Sequence, residues 1–396
     1  VNLNLKDGRV NVNNLSYPVE IPSINLNFTT EKCSVKESTF KLGNTDFHLH
    51  GTLFNMDEFI HDTGLLTGQM EFVSNYTDIN QIMDLVSGFR APDSVIVADK
   101  NEEAKEDDPF MVPYGINVRL HTFIKKALVN ETIIENIGGH LSVKDGILVL
   151  EEMGFTNEAA RMQLTAMYKS PRKNHLFVGL DFHLLDIKID KLIAMIPQID
   201  TLVPMLKSFS GNAEFHLAAE TNLKSNYDLK YSTLRGAAAI NGHDLVVLDN
   251  ETYRTIAKKL LFSKNTENKI DSLSVELTAY KNEIDIYPFM VSLDKYQAIL
   301  SGRHNLDMTC NYDISLLKPL RVGLNISGDF KHLKYKLEKP KYASIFKPER
   351  RNVVESNVME LKTLINESLK ANVKDQPKMP PVEGTKPEPV GEENKN

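Results

Sequence analysis

The sequence predicts a mostly β protein: an elongated, twisted antiparallel sheet of repeated meander modules that forms a groove, with a few short helices and a C-terminal amphipathic helix. Three observations lead to this prediction. Apolar and polar residues alternate over long stretches, turn residues separate these stretches at short intervals, and one strand pattern occurs three times. Alternation with a period of two is typical of strands that bury one face, and closely spaced strands without intervening helices form antiparallel meanders.

The alternation is clearest in residues 24–28 (INLNF), 211–217 (GNAEFHL) and 272–277 (SLSVEL). Each stretch places its apolar side chains on one face of a strand and its polar side chains on the other. Turn-forming pairs such as Asp145-Gly146 and Lys281-Asn282 lie close to stretches of this kind. We therefore expect half-buried strands that are joined by tight turns.

One three-strand pattern occurs at residues 26–51, 141–166 and 277–302, which align without a gap and are called modules 1, 2 and 3. The apolar positions coincide although few residues are identical. Because side chains two apart in a strand lie on the same face, these positions predict a continuous apolar stripe. The candidate lipid-groove residues are Phe28, Val35, Phe40, Phe47 and Leu49 in module 1, Leu148, Leu150, Phe155, Met162 and Leu164 in module 2, and Ile284, Ile286, Val291, Ala298 and Leu300 in module 3.

Helices are predicted at a few places. A second repeat links residues 68–86 with residues 179–196, where a strand pattern ends at an Asn or Asp that can cap a short apolar helix. We expect the second of these helices to resume over residues 202–209, and a further helix at 252–262, where Ile256, Leu260 and Leu261 share a face.

The predicted organisation has five parts. Residues 1–90 form an N-terminal β-groove segment with a short helix, residues 91–109 an acidic loop, and residues 110–345 the C-terminal β-groove region. Residues 346–370 form the amphipathic helix, because apolar residues recur there at helical spacing. Residues 371–396 are rich in proline and charge and are predicted to be a disordered tail.

The composition argues against several classes of function. The net charge of −7 disfavours a nucleic-acid partner, whose binding usually requires a basic surface. Cys33 and Cys310, the two cysteines, exclude a disulfide framework and are predicted to be small core residues. No run of about 18 apolar residues could span a bilayer as a helix. Since the chain starts at Val1 in a strand-like segment, we expect a fragment whose N-terminal anchor is missing.

The sequence carries no familiar catalytic signature. It lacks a glycine-rich phosphate loop, a Gly-x-Ser-x-Gly elbow and a His-Glu-x-x-His motif, so we predict that the protein is not an enzyme and binds no cofactor. His48 and His50 lie two apart on one strand face, as zinc ligands sometimes do. Their spacing suggests no third ligand, so a solvated strand face is predicted and no metal site.

Several segments resemble proteins of the AsmA-like family. They include residues 5–10 (LKDGRV), 17–20 (YPVE), 78–80 (DIN) and 187–192 (IKIDKL). The C-terminal region of bacterial AsmA-like envelope proteins is similar to residues 236–240 (GAAAI), 244–247 (DLVV), 270–275 (IDSLSV) and 284–289 (IDIYPF), which are followed by Gly302 and residues 305–307 (NLD). The resemblance covers roughly residues 1–340.

The resemblance implies a long β-groove in the periplasm, related to those of TamB and the bridge-like lipid-transfer proteins. It also implies an N-terminal inner-membrane anchor, envelope protein partners, and a role in moving phospholipid toward the outer membrane, with no catalytic residues to carry over. The apolar stripe itself allows two interpretations, a groove that holds phospholipid or another acyl-chain lipid, and the core of a closed β-sandwich. The leading hypothesis is a lipid-conducting module; the alternative is a structural or assembly protein of the envelope with a closed core.

Overall fold

The computed structural model describes residues 1–11, 17–61, 63–82, 109–129, 132–156, 160–195, 208–248, 251–260, 269–293 and 295–370. Eighteen strands account for most of these residues. They are β1 (Asn2–Val10), β2 (Val19–Phe28), β3 (Lys32–Leu42), β4 (Thr45–Phe54), β5 (Leu66–Asp78), β6 (Ile116–Val129), β7 (Thr132–Lys144), β8 (Ile147–Thr156), β9 (Arg161–Arg172), β10 (His175–Lys188), β11 (Phe209–Leu223), β12 (Arg235–Val247), β13 (Lys269–Tyr280), β14 (Glu283–Leu293), β15 (Tyr296–Asn305), β16 (Thr309–Lys318), β17 (Val322–Asp329) and β18 (His332–Glu338).

All eighteen strands belong to one open sheet. Each strand pairs with its neighbours in sequence, from β1–β2 to β17–β18, and every pairing is antiparallel except that between β5 and β6. The prediction of an elongated, mostly antiparallel meander is therefore confirmed. A closed sandwich core does not form in the described part of the chain, because no second sheet lies against this one.

The three predicted modules share one strand register. Their first, second and third strands are β2–β4 in module 1, β7–β9 in module 2 and β13–β15 in module 3. The matched pairs are Leu26↔Val35, Leu141↔Leu150 and Leu277↔Ile286 between the first two strands, and Phe40↔Phe47, Phe155↔Met162 and Val291↔Ala298 between the last two. The gap-free sequence alignment thus reports a true structural repeat.

Each module also carries a register shift at the same place in its middle strand. The shift falls between Val35 and Ser38, Leu150 and Met153, and Ile286 and Phe289 in modules 1, 2 and 3. Glu37 and Glu152 occupy equivalent positions in the first two shifts and have positive φ angles of 36° and 53°, a conformation that bulges often require. Module 3 has Pro288 at this position. A bulge bends its strand and increases the local twist, so three equivalent bulges curve the sheet in the same sense.

The parallel pairing of β5 with β6 keeps the modules in the same orientation. The first strands of modules 1 and 2 are five pairings apart, and an antiparallel meander would invert module 2 after an odd number of steps. One parallel step restores the direction. Six antiparallel steps then separate modules 2 and 3, so all three modules point the same way.

Within the described residues, four helices accompany the sheet: α1 (Met56–Ile60), α2 (Ile189–Met195), α3 (Glu251–Lys259) and α4 (Val353–Lys370). A 3₁₀ turn lies at Tyr231–Thr233, and residues 79–82 form a helical turn directly after β5. This turn and α2 confirm the predicted strand-to-helix repeat, in which Asp78 ends its strand and accepts a hydrogen bond from the Asn80 amide at 3.0 Å. Helix α3 lies within the predicted range 252–262, apart from its first residue.

The sheet has two unlike faces. We call the face that carries Phe40, Phe155 and Val291 the inner face, and α2 and α3 lie on it. Helix α4 lies on the opposite, outer face and crosses β7 to β13. Leu361 and Ile365 pack there on Val149 and Met167, while Val354 packs on Ala218 and Ala237. The 18 residues of α4 span about 27 Å, close to the roughly 29 Å that seven neighbouring strands occupy.

Two features of the predicted organisation differ from the structure or lie outside it. The amphipathic helix begins at Val353 rather than at residue 346, and the preceding residues run along the outer face, where Tyr342 donates to Ser301 at 2.9 Å. Phe209 opens β11, so the helix expected to reach it is wrong there. Most of the predicted acidic loop, residues 91–108, and the tail at 371–396 lie outside the described residues.

Candidate functional site

Four groups of apolar side chains line the inner face. The first cluster contains Val19, Ile21, Leu42 and Phe47 with Ile24, Phe40, Leu49, Phe72 and Ile82; the second contains Ile124, Ala127, Ile137 and Met153 with Phe72, Ile79, Ile134, Leu150, Phe155 and Leu164. The third is centred on β9 to β14 and includes Met162, Leu184, Phe215, Ile240, Val275 and Ile284. The fourth contains Ile256, Leu260, Tyr296, Ala298, Ile314, Leu316, Leu324 and Ile326 with Leu300, Tyr312, Val322, Leu333 and Tyr335.

These clusters are joined end to end by shared side chains. Phe72 on β5 packs against both the first and the second cluster. Phe155 on β8 packs against both the second and the third. The third and fourth clusters line one cavity. The inner face therefore presents a single apolar stripe from β2 to β18.

The stripe begins in module 1 with a stack of aromatic rings. The ring centroids of Phe40 and Phe47 are 5.1 Å apart with an interplanar angle of 11°, and those of Phe47 and Phe72 are 5.5 Å apart. Offset stacking at such distances adds stability beyond the area that the rings bury. Phe47 is buried between its two neighbours, which are themselves only half-buried.

Twelve of the fifteen candidate groove residues belong to these clusters. Phe40, Phe47 and Leu49 are in the first, and Leu150, Phe155 and Leu164 are in the second. The third holds Met162, Ile284, Ile286 and Val291, and the fourth holds Ala298 and Leu300. The other three, Phe28, Val35 and Leu148, are outside the clusters and lie near the tight-turn ends of their strands.

A cavity of about 200 Å³ lies between helix α3 and the inner face of module 3. Ile256 of the helix and Leu260, directly after it, form the roof of the cavity, and Val291, Ala298 and Leu300 form part of its floor. The lining is almost wholly apolar and continues from β11 to β18. Sequence reasoning did not find this cavity, although it did predict the helix and the three floor residues.

Two aromatic residues of the cavity lining, Tyr312 and Phe330, contact a buried histidine. The Tyr312 hydroxyl and Nδ1 of the buried His304 are 2.9 Å apart, and Phe330 packs against both rings. Burial raises the pKa of Tyr312, and burial together with Asp329 raises the pKa of Cys310 to about 11. A thiol with so high a pKa is a poor nucleophile at neutral pH. Cys33 is also buried, so both cysteines are core residues as predicted.

The predicted histidine pair lies on the outer face. His48 and His50 are exposed, and Nδ1 of His48 is 3.1 Å from the Thr39 hydroxyl. The solvated strand face predicted for them is therefore confirmed. Among the described residues, no group of three or more His, Cys, Asp or Glu side chains is placed to hold a metal ion.

A second histidine pair on the outer face was not singled out from the sequence. His183 and His216 face each other on β10 and β11 with their rings stacked at 4.5 Å, and Nε2 of His216 is 2.7 Å from an Asp181 oxygen. Burial lowers the pKa of His183, and His216 lowers it further. Only the strand register brings these residues together, since more than thirty positions separate them in sequence.

The described part of the chain includes no helix that is long and apolar enough to cross a membrane. Comparison of the chain with models of protein families, with curated proteins and with solved structures finds no match. The geometry of the inner face is therefore the basis for assigning a function.

Proposed function

We propose that this chain is a non-enzymatic lipid-binding and lipid-conducting β-groove of a bacterial cell envelope, similar to proteins of the AsmA-like family. The single observation that carries the proposal is the apolar stripe, which runs without a break from β2 to β18. Many of its large side chains, such as Leu49, Leu164 and Phe182, stay half-buried. Apolar groups left partly open to water along a continuous path suit acyl chains, because each methylene transferred from water gains about 0.8 kcal/mol.

The mechanism would be passive. Acyl chains lie along the stripe while their headgroups stay in water at the open side of the groove. The resemblance to the AsmA-like family supports a groove in the periplasm that is anchored to the inner membrane and carries phospholipid toward the outer membrane. The outer face has a structural role instead. Helix α4 packs across it from β7 to β13 and thereby stabilises this part of the sheet.

The proposal is tested by transfer of a fluorescent phospholipid between donor and acceptor vesicles. Leu164→Asp places a charge in the middle of the stripe, at a half-buried site where the carboxylate can still reach water, so the protein should fold but transfer should fall at least fivefold. Gln163→Asp is the matched control, because this neighbouring side chain is exposed on the outer face.

Two results would contradict the proposal. One is normal transfer by Leu164→Asp that is folded by circular dichroism. The other is a wild-type protein that transfers no lipid in the vesicle assay and that, after purification without detergent, carries no phospholipid detectable by native mass spectrometry. Either result would favour the alternative of a structural or assembly protein.

A further inference from the structure

The cavity under α3 exists because module 3 has smaller residues at one matched pair. Modules 1 and 2 fill this place in the groove with Phe40 facing Phe47 and with Phe155 facing Met162. Module 3 has Val291 facing Ala298 in the same register. Both of these residues line the cavity. The space is thus specific to module 3, because the other two modules fill the equivalent position with their own side chains.

Helix α3 roofs this space and has two unlike sides. Tyr253, Ile256 and Leu260 turn toward the inner face, where Ile256 and Leu260 are buried. Lys258 and Lys259 are exposed on the other side. An amphipathic helix with cations on its outer side attracts anionic groups to the rim of the apolar space beneath it.

We propose that this cavity is a discrete seat for one acyl chain of an anionic lipid, with the headgroup beside Lys258 and Lys259. The inference rests on the proposed function, because it names the part of the groove that retains a chain. Three features identify the occupant. The walls are almost wholly apolar, and the volume of about 200 Å³ exceeds the ~150 Å³ at which an apolar cavity can hold a benzene-sized guest. The lining also extends over eight neighbouring strands, roughly 34 Å, which suits a chain better than a compact ring system.

The test uses the full chain and cis-parinaric acid, a fatty acid whose fluorescence rises in apolar surroundings. Val291→Phe with Ala298→Met transfers the residue pair of module 2 into module 3 and fills the seat. We expect at least tenfold weaker binding and one fewer parinaric acid per chain at saturation. Met359→Phe enlarges a side chain that is 64% exposed on α4, on the outer face of the sheet, and should leave this binding unchanged within twofold.

Two further variants keep the inference testable if the double variant does not fold. Ala298→Met alone introduces a flexible side chain and should weaken binding in the same direction. Lys258→Glu with Lys259→Glu should weaken binding of parinaric acid more than binding of its methyl ester, because only the acid carries a negative headgroup.

The source of the chain is identified by competition. Oleate that displaces the probe shows that a free fatty acid can fill the seat, whereas phosphatidylglycerol with a pyrene-labelled chain, supplied in vesicles, shows that a phospholipid tail can. Failure of both to reach the seat overturns the inference, as does wild-type affinity and stoichiometry in the filled variant. Vesicle-to-vesicle transfer is measured separately, so that the two proposals can fail independently. If the protein transfers lipid but binds no parinaric acid, only the proposed acyl-chain seat is wrong. If it binds parinaric acid but transfers no lipid, only the proposed lipid-conducting groove is wrong.

Discussion

Phe47 stacks on Phe40 across β3 and β4 with a centroid distance of 5.1 Å, and this pair fills the groove of module 1. Phe47 is buried and also contacts Phe72, so Phe47→Ala would leave a void between two rings. We expect a loss of about 3–5 kcal/mol in the free energy of unfolding. Urea unfolding followed by circular dichroism measures the loss. Phe123→Ala is the control, because 49% of Phe123 is exposed and its truncation should cost far less. Equal losses for the two variants would show that the stack adds nothing.

Leu361 fixes α4 to the outer face by packing on Val149 and Met167. Leu361→Ala should therefore lower the free energy of unfolding by about 2–4 kcal/mol. Met359→Ala changes the same helix at a residue that is 64% exposed, and its effect should stay within about 0.5 kcal/mol. Thermal melting of both variants checks this prediction. A harmless Leu361→Ala would mean that α4 does not support the sheet.

The start of α4 depends on a carboxylate that belongs to the sheet. Glu276 on β13 accepts hydrogen bonds from the backbone amides of Arg351 at 2.6 Å and Val353 at 3.4 Å. Glu276→Gln keeps the shape but removes the charge that favours a helix N-terminus, so we expect a loss of about 0.5–2 kcal/mol. Hydrogen exchange of the first turn of α4 should quicken in this variant. Unchanged exchange there would contradict the prediction.

The stability of the sheet should depend on His183 below neutral pH. Burial and the neighbouring His216 lower the pKa of His183, while Glu214 and Asp181 oppose this effect. An imidazole in the unfolded chain has a pKa near 6.5, so the folded state resists protonation more than the unfolded state does. The contribution of neutral His183 is present above about pH 6.5 and is lost as the pH falls through the lowered pKa.

Melting temperatures from pH 7.5 to pH 5 test this prediction. The wild-type protein should lose more stability over this range than His183→Gln, which cannot take up the proton. His48→Gln, at an exposed site, should follow the wild-type curve. If the melting temperature of His183→Gln falls as steeply as that of the wild type, another group causes the loss of stability at acidic pH.

Much of the fold could be predicted because it follows from local pattern. The alternation of side chains and the turn pairs Asp145-Gly146 and Lys281-Asn282 locate strand ends correctly, since a strand is half-buried on one face and a tight turn needs particular residues. The aligned modules even share their bulges, which no single copy reveals.

What could not be predicted depends on contacts between distant residues. Phe209 has helical spacing from its preceding residues, but it pairs with Val247 of β12, and this pairing decides its conformation. The docking site of α4 could not be predicted from the sequence, because its floor includes small residues such as Ala218 and Ala237, which by themselves do not indicate a helix-binding surface. The cavity could be found only after α3 was placed opposite Ala298.

The parallel step between β5 and β6 limits how such a chain can change its length. Duplicating or deleting a β-hairpin adds or removes two strands and leaves the strand direction of every later module unchanged. Gain or loss of one strand between modules 1 and 2 would invert modules 2 and 3 relative to module 1 and carry α2 and α3, with the apolar side chains that they cover, to the opposite rim of the sheet. Recombination would therefore yield functional variants in increments of whole hairpins, and an odd increment would survive only together with a second parallel step.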